Sequence, residues 1–131
     1  MIDYVLVDYE NAGPSLRHCQ IADDAQVIVF FGQTTTKIRQ HLCRWLGHRA
    51  EFINIDGRGP NALDFHISFY AGMIVNENRS SQITVISRDK GFDPLLTHVA
   101  KMGVSVRRLE PPERRVFEQP KQLSENLYAT T

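Results

Sequence analysis

VLVDYEN at residues 5–11 and TVISRDKGFDPLL at residues 84–96 decide how this chain folds. Each begins as a short run of largely β-branched apolar residues and then reaches a carboxylate: Asp8 in the first, Asp89 and then Asp93 in the second. Such a run reads as a buried parallel strand, and the C-terminal ends of such strands are where α/β sheets place their sites. A further acid, Asp64, stands in GPNALDF at residues 59–65. Carboxylates gathered at one place repel one another unless a cation lies between them. The pattern therefore asks for a divalent metal.

Outward from these stretches, strand and helix alternate. Strands are predicted over residues 4–7, 26–31, 50–55, 83–87 and 104–109, the third less apolar and hence an edge. Pro14 suits the first turn of a helix over residues 15–21. Thr34, Thr35 and Thr36 offer caps for an amphipathic helix with Ile38, Leu42, Trp45 and Leu46 on one side, and capping is favoured over a phosphate site there. Longer helical stretches run over residues 60–75 and 92–102. The alternation implies an α/β fold, a parallel sheet with right-handed crossovers and helices on both faces. Pro111 and Pro112 close the compact part, giving one domain over residues 1–110 and a polar tail over 111–131, either a short helix or a flexible segment.

Totals exclude more than they assign. The 131 residues, 42% of them apolar, suit one domain, and 15 basic against 15 acidic residues name no partner. Distribution says more: five basic and two acidic residues lie between Gln33 and Arg58, and six and three between Lys101 and Lys121. Basic margins around an acidic centre suit a polyanion at the rim and metal inside; charged helix surfaces explain either cluster alone. Two cysteines, Cys19 and Cys43, are too few for a disulfide framework, the N-terminus carries no signal-peptide pattern, and no apolar stretch is long enough to span a bilayer. A soluble cytoplasmic protein is expected.

Asp8 ends an apolar strand, which has little reason to finish in an unpaired charge. Asn11, three residues on, can fix a carboxylate or a phosphate by hydrogen bonds, or simply turn the chain. Asp64 lies in the first turn of a helix apolar nearly all round, which must be largely buried. It forms a polar stripe with Asn61 and Ser68; serving the helix dipole is the plainer alternative. Ser87 can bond a carboxylate or place a metal-bound water, and Asp93 reads equally as a metal contact or an N-cap. A zinc site from His18, Cys19, His41 and Cys43 lacks supporting spacing.

VDYEN at 7–11, NALD at 61–64 and SRDKGFDPLL at 87–96 together resemble the PIN-like and NYN superfamily of metal-dependent ribonucleases, closest to a bacterial branch whose motif reads near KDKGFDPL. The resemblance covers residues 3–109. It implies a three-layer α/β/α sandwich with strand order 3-2-1-4-5 and an acidic pocket for Mg²⁺ or Mn²⁺. Asp8, Asp64 and Asp89 match the metal-binding acids, Asn11 the residue that orients the first, and Ser87 the hydroxyl before the third. Gly91 stands where many relatives carry a further Asp, with Asp93 as its replacement, and Pro60 where near relatives look basic. The expected activity is hydrolysis of single-stranded RNA, with DNA left open, by water activated at the metal. Lys37, Arg39, Arg88 and Lys90 are the expected backbone contacts, and a homodimer or a regulatory protein partner is compatible with the family. Two rivals stand beside this. One is a PIN-like module that binds RNA or protein without cutting. The other is a phosphoacceptor receiver domain using Asp56, which gives no account of Asp64.

Overall fold

A computed structural model describes residues 2–32, 36–59 and 61–112. Its strands are β1 Asp3–Asp8, β2 Gln26–Phe31, β3 Ala50–Asn54, β4 Gln82–Ile86 and β5 Ser105–Leu109. They form one sheet in the order β3-β2-β1-β4-β5, with every pairing parallel. This is the α/β sandwich expected, with β3 at an edge and β1 in the centre. The helices are α1 Tyr9–Ala12, α2 Thr36–Leu46, α3 Ala62–Glu77 and α4 Asp93–Lys101.

Side chains alternate across the sheet with a period of two, and the two sets meet different helices. Leu6, Phe30, Ile83 and Val85 pack with Leu63 and Ile67 of α3 and Leu96 of α4. Val5, Val7, Val29, Phe31 and Ile86 pack with Ala12, Leu16 and Leu42 on the opposite face. Helices on both faces explain why β1, β2 and β4 are apolar on both sides. The same parity places the site. Asp8 continues the row of Leu6, and Ser87, one residue beyond β4, continues that of Ile83 and Val85, so both emerge on the α3 side at the C-terminal end of neighbouring strands.

The structure corrects the sequence reading at two elements. Instead of a helix over residues 15–21, α1 begins at Tyr9 because Asp8 caps it, accepting a hydrogen bond from the Asn11 N–H. Gly13, at φ 54°, ends that turn. A 3₁₀ helix, Gly13–His18, follows with Pro14 at its start. The second correction concerns α3, which is apolar all round but not buried all round. Leu63, Ile67, Ala71, Ile74 and Val75 enter the core, whereas Phe65 and Phe69 are 71% and 64% exposed, with Met73 exposed one turn further. The expected tail from residue 113 onward, Thr34, Thr35 and Pro60 lie outside the described residues. Among the described residues no helix is long and apolar enough to cross a membrane.

Candidate active site: an acidic cluster at the C-terminal edge of the sheet

Asp8 is a carboxylate only 5% exposed at the end of the central strand. Its Oδ1 accepts the Asn11 backbone N–H at 3.2 Å and its Oδ2 the Ser87 hydroxyl at 3.0 Å. Burial raises its pKa above the ordinary carboxylate value, the two hydrogen bonds oppose that rise, and the charges of Glu10 and Asp89 add to it. Ser87 Oγ in turn accepts the Asp89 backbone N–H at 3.0 Å. One fully buried hydroxyl thus orients the acid of β1 and the loop that carries the acid after β4.

Asp89 caps the 3₁₀ turn Lys90–Phe92, its Oδ1 accepting the Gly91 N–H at 2.8 Å. Gly91 leaves this carboxylate room, since a Cβ there would stand 2.9 Å from that oxygen and displace it. Asp64, in the first turn of α3, shares a hydrogen bond with the Asp89 side chain. Its pKa is pushed up to about 6, first by burial, then by that bond and the charges of Asp89, Asp8 and Glu10. A proton held between two carboxylates is the low-pH answer to like charges in close quarters.

Glu10 belongs to this cluster and was not singled out from the sequence. A Cβ on Gly32 would lie 1.6 Å from its Oε2, so the Glu10 carboxylate rests directly against the Gly32 backbone at the end of β2. It lines a cavity of about 570 Å³ with Arg58 of the Gly57–Gly59 loop. The signal was present in VDYEN, as a second acid directly after Tyr9, but its contact with Gly32 depends on a residue distant in sequence.

The remaining expected site residues are placed differently from one another. Asn11 holds the β1 loop to the β4 loop, its Oδ1 accepting the Arg88 N–H at 2.6 Å, while its backbone rather than its side chain bonds Asp8. Asp93 neither caps α4 nor faces the acids. Arg108 of β5 takes it, Nε to Oδ1 at 2.8 Å and Nη2 to Oδ2 at 3.3 Å, which lowers the Asp93 pKa. Arg108 also donates to the Ser87 carbonyl at 3.0 Å, so this pair braces the strand end beneath the cluster. Arg88, expected at a phosphate, instead donates to the carbonyls of Asn11 and Pro112. Arg39 lies over the Phe52 ring at 5.7 Å, and Lys37 and Lys90 are exposed. Ser68 returns its hydroxyl to the Asp64 carbonyl at 2.9 Å, closing the helical turn rather than the site.

Among the described residues no three His, Cys, Asp or Glu side chains are arranged to close on one ion as they stand. Asp8, Asp64, Asp89 and Glu10 act on one another as charges, not as a finished cage. Cys19 and Cys43 are free thiols, and the zinc arrangement does not form among the described residues. The receiver alternative also fails. Asp56 follows the edge strand β3, whereas Asp8 ends the central one, and Asp56 is exposed.

Comparison with known families agrees with this geometry. The family model of the PIN domain matches residues 2–109, which takes in every strand and all three acidic motifs. Searches of curated proteins and of solved structures each find no significant match. With an all-parallel sheet in this strand order and a family match along most of its length, the chain belongs to the PIN domain family.

Proposed function

We propose that the domain is a Mg²⁺- or Mn²⁺-dependent endoribonuclease acting on single-stranded RNA, of the bacterial NYN-like branch suggested by RDKGFDPLL. The observation that carries this reading is the Asp64 carboxyl at the C-terminal edge of the sheet, pushed up to about 6 by burial first and then by Asp89, Asp8 and Glu10. Acids kept in mutual repulsion destabilise the resting protein unless a cation replaces the proton, and strained electrostatics of this kind cluster at functional sites. An all-oxygen donor set fits a hard divalent ion. Asp8, Asp64 and Asp89 would hold it, with Glu10 beside them, once Asp64 has lost its proton.

When bound, the ion supplies a water of lowered pKa and charge stabilisation for the leaving oxygen. Ser87 fixes the Asp8 carboxylate and the Asp89 loop against each other. Asn11 ties the two loops so that the acids keep their spacing. Lys90 and Lys37, both exposed, are the candidate phosphate contacts, which would make binding salt-sensitive with little sequence preference. The free thiols fit a reducing cytoplasm.

The decisive measurement is cleavage of single-stranded RNA and DNA with Mn²⁺ and with EDTA, wild type against Asp8→Asn. RNA should be cut only with metal, and the variant should be slower by more than about 100-fold, beyond the loss usual for outer-shell groups. Equal cutting by Asp8→Asn sinks the reading. Asp93→Asn provides the contrast: with its carboxylate given to Arg108, it should stay within about fivefold of wild type.

A second reading, a module that holds RNA or a protein partner without cutting, is favoured by the apolar stripe Phe65, Phe69 and Met73 left open on α3. Exposed contiguous apolar side chains mark docking faces more often than accidents. The same assay separates the two, because such a module leaves RNA intact in Mn²⁺.

A further inference from the structure

On the other side of Tyr9 from the acids, a cleft of about 420 Å³ opens between the 3₁₀ turn Gly13–His18 and α2. That volume is within the range of about 300–1,000 Å³ common for small-ligand sites. Tyr9, Leu16, Ile38 and Trp45 give it apolar walls. Arg17, Lys37, His41 and Arg44 give it basic groups, and no described carboxylate lines it. In a chain with equal numbers of acidic and basic residues, an acid-free concavity with this many cations is a strong local bias.

The helix builds this face by spacing. Lys37, Ile38, His41, Arg44 and Trp45 are positions i, i+1, i+4, i+7 and i+8 of one helix and share a side. Arg39 falls off that side and covers Phe52 instead. Arg17 Nη2 lies 2.6 Å from His41 Nε2, so the guanidinium donates and the ring nitrogen accepts there. Among the described residues the ion pairs are those of Arg108, so neither Lys37 nor Arg44 is matched with a described carboxylate. Trp45 is 37% exposed, so part of its ring is open to a flat partner.

We propose that this cleft is a nucleotide subsite, in which a base stacks on Trp45 and its 5′-phosphate is held by Lys37 and Arg44. Flat aromatic surface beside cations is how single-stranded nucleic acids are gripped without sequence readout. Tyr9 lies between Asp8 and Glu10 in the chain and packs its ring on Phe31 at 5.0 Å, so one residue separates the acids from the cleft wall. To reach the acids, a strand seated here would pass from the face of Leu16 and Leu42 over the C-terminal edge of the sheet to the α3 side. That placement rests on the nuclease reading; the nucleotide site itself does not.

Trp45 is the single tryptophan of the chain, and because it also borders the neighbouring cavity that holds Arg49 and Arg107, the Lys37 and Arg44 variants assign its signal to this cleft. The full chain is titrated in EDTA, where cleavage plays no part, with adenosine 5′-monophosphate, adenosine and inorganic phosphate. The monophosphate should quench Trp45 saturably, and adenosine and phosphate should each bind at least about tenfold more weakly. Lys37→Ala and Arg44→Ala, exposed changes checked by circular dichroism, should each weaken the monophosphate about fivefold or more and flatten its salt dependence. No saturable quenching, phosphate binding as tightly as the nucleotide, or unchanged affinity in the double variant would each overturn the proposal. Cleavage in Mn²⁺ is scored separately. Nucleotide binding without RNA cleavage leaves the subsite standing and removes the nuclease, and cleavage without nucleotide binding does the reverse.

Discussion

Asp64→Asn should abolish metal-dependent RNA cleavage, by more than about 100-fold, and at the same time make the metal-free protein more stable at pH 8. The two effects have one cause. In the fold Asp64 titrates near 6, against 3.8 for the unperturbed group, because burial and the charges of Asp89, Asp8 and Glu10 disfavour its ionised form. Between those pH values the folded chain holds a proton that the unfolded chain has released, so stability falls as pH rises through the window and remains lowered above it. Solvent around the half-buried carboxyl screens part of the repulsion, leaving about 1 kcal/mol to be recovered by neutralising it. Asparagine removes the charge and can still donate to Asp89. Thermal unfolding of the two proteins at pH 5 and pH 8 in EDTA is the check: they should differ more at pH 8. Mn²⁺ should raise the wild-type Tm at pH 8 and have a smaller effect on Asp64→Asn, since an ion bound to the folded state stabilises it by mass action. A variant less stable than wild type at pH 8, yet fully active, would remove both the electrostatic and the functional argument.

What the sequence could and could not reveal follows from the range of each interaction. The meeting of Asp8 and Asp89 was legible because two apolar runs ending in acids must lie side by side in a parallel sheet, and β1 does pair with β4. Asp64 was legible because a helix packed over those strands has its first turn near their C-terminal ends. Three features were not legible, each for want of a partner distant in sequence. Glu10, although exposed, lies near the acids with its carboxylate against Gly32, a residue without a Cβ at the end of a neighbouring strand. Asp93 leaves the acids because Arg108, fifteen residues later, reaches it from β5. Phe65 and Phe69 are as apolar as Leu63 and Ile67, and hydropathy cannot distinguish the residue that faces the sheet from the one a fraction of a turn away. The early start of α1 is a local matter: Pro14 suits a later helix start, but the Asp8 side chain already supplies the cap.

Ser87→Ala should cost about 10–100-fold in metal-dependent cleavage, although Ser87 belongs to the support of the acids rather than to the acids themselves. Its hydroxyl makes two bonds at once, donating to Asp8 Oδ2 at 3.0 Å and accepting from the Asp89 N–H at 3.0 Å. Removing it leaves a carboxylate only 5% exposed with one donor fewer and leaves the Asp89 N–H without its acceptor. Unsatisfied groups of this kind cost about 1–3 kcal/mol each when fully buried. Loss of the Ser87 bond also removes an influence that holds the Asp8 pKa down, so the acidic limb of the pH–rate profile should move to higher pH. A purely structural serine would lower Tm without moving that limb. The double variant with Asp8→Asn separates the cases further. If Ser87 acts through Asp8, adding Ser87→Ala to Asp8→Asn should cost little more activity, whereas independent roles would make the two losses multiply.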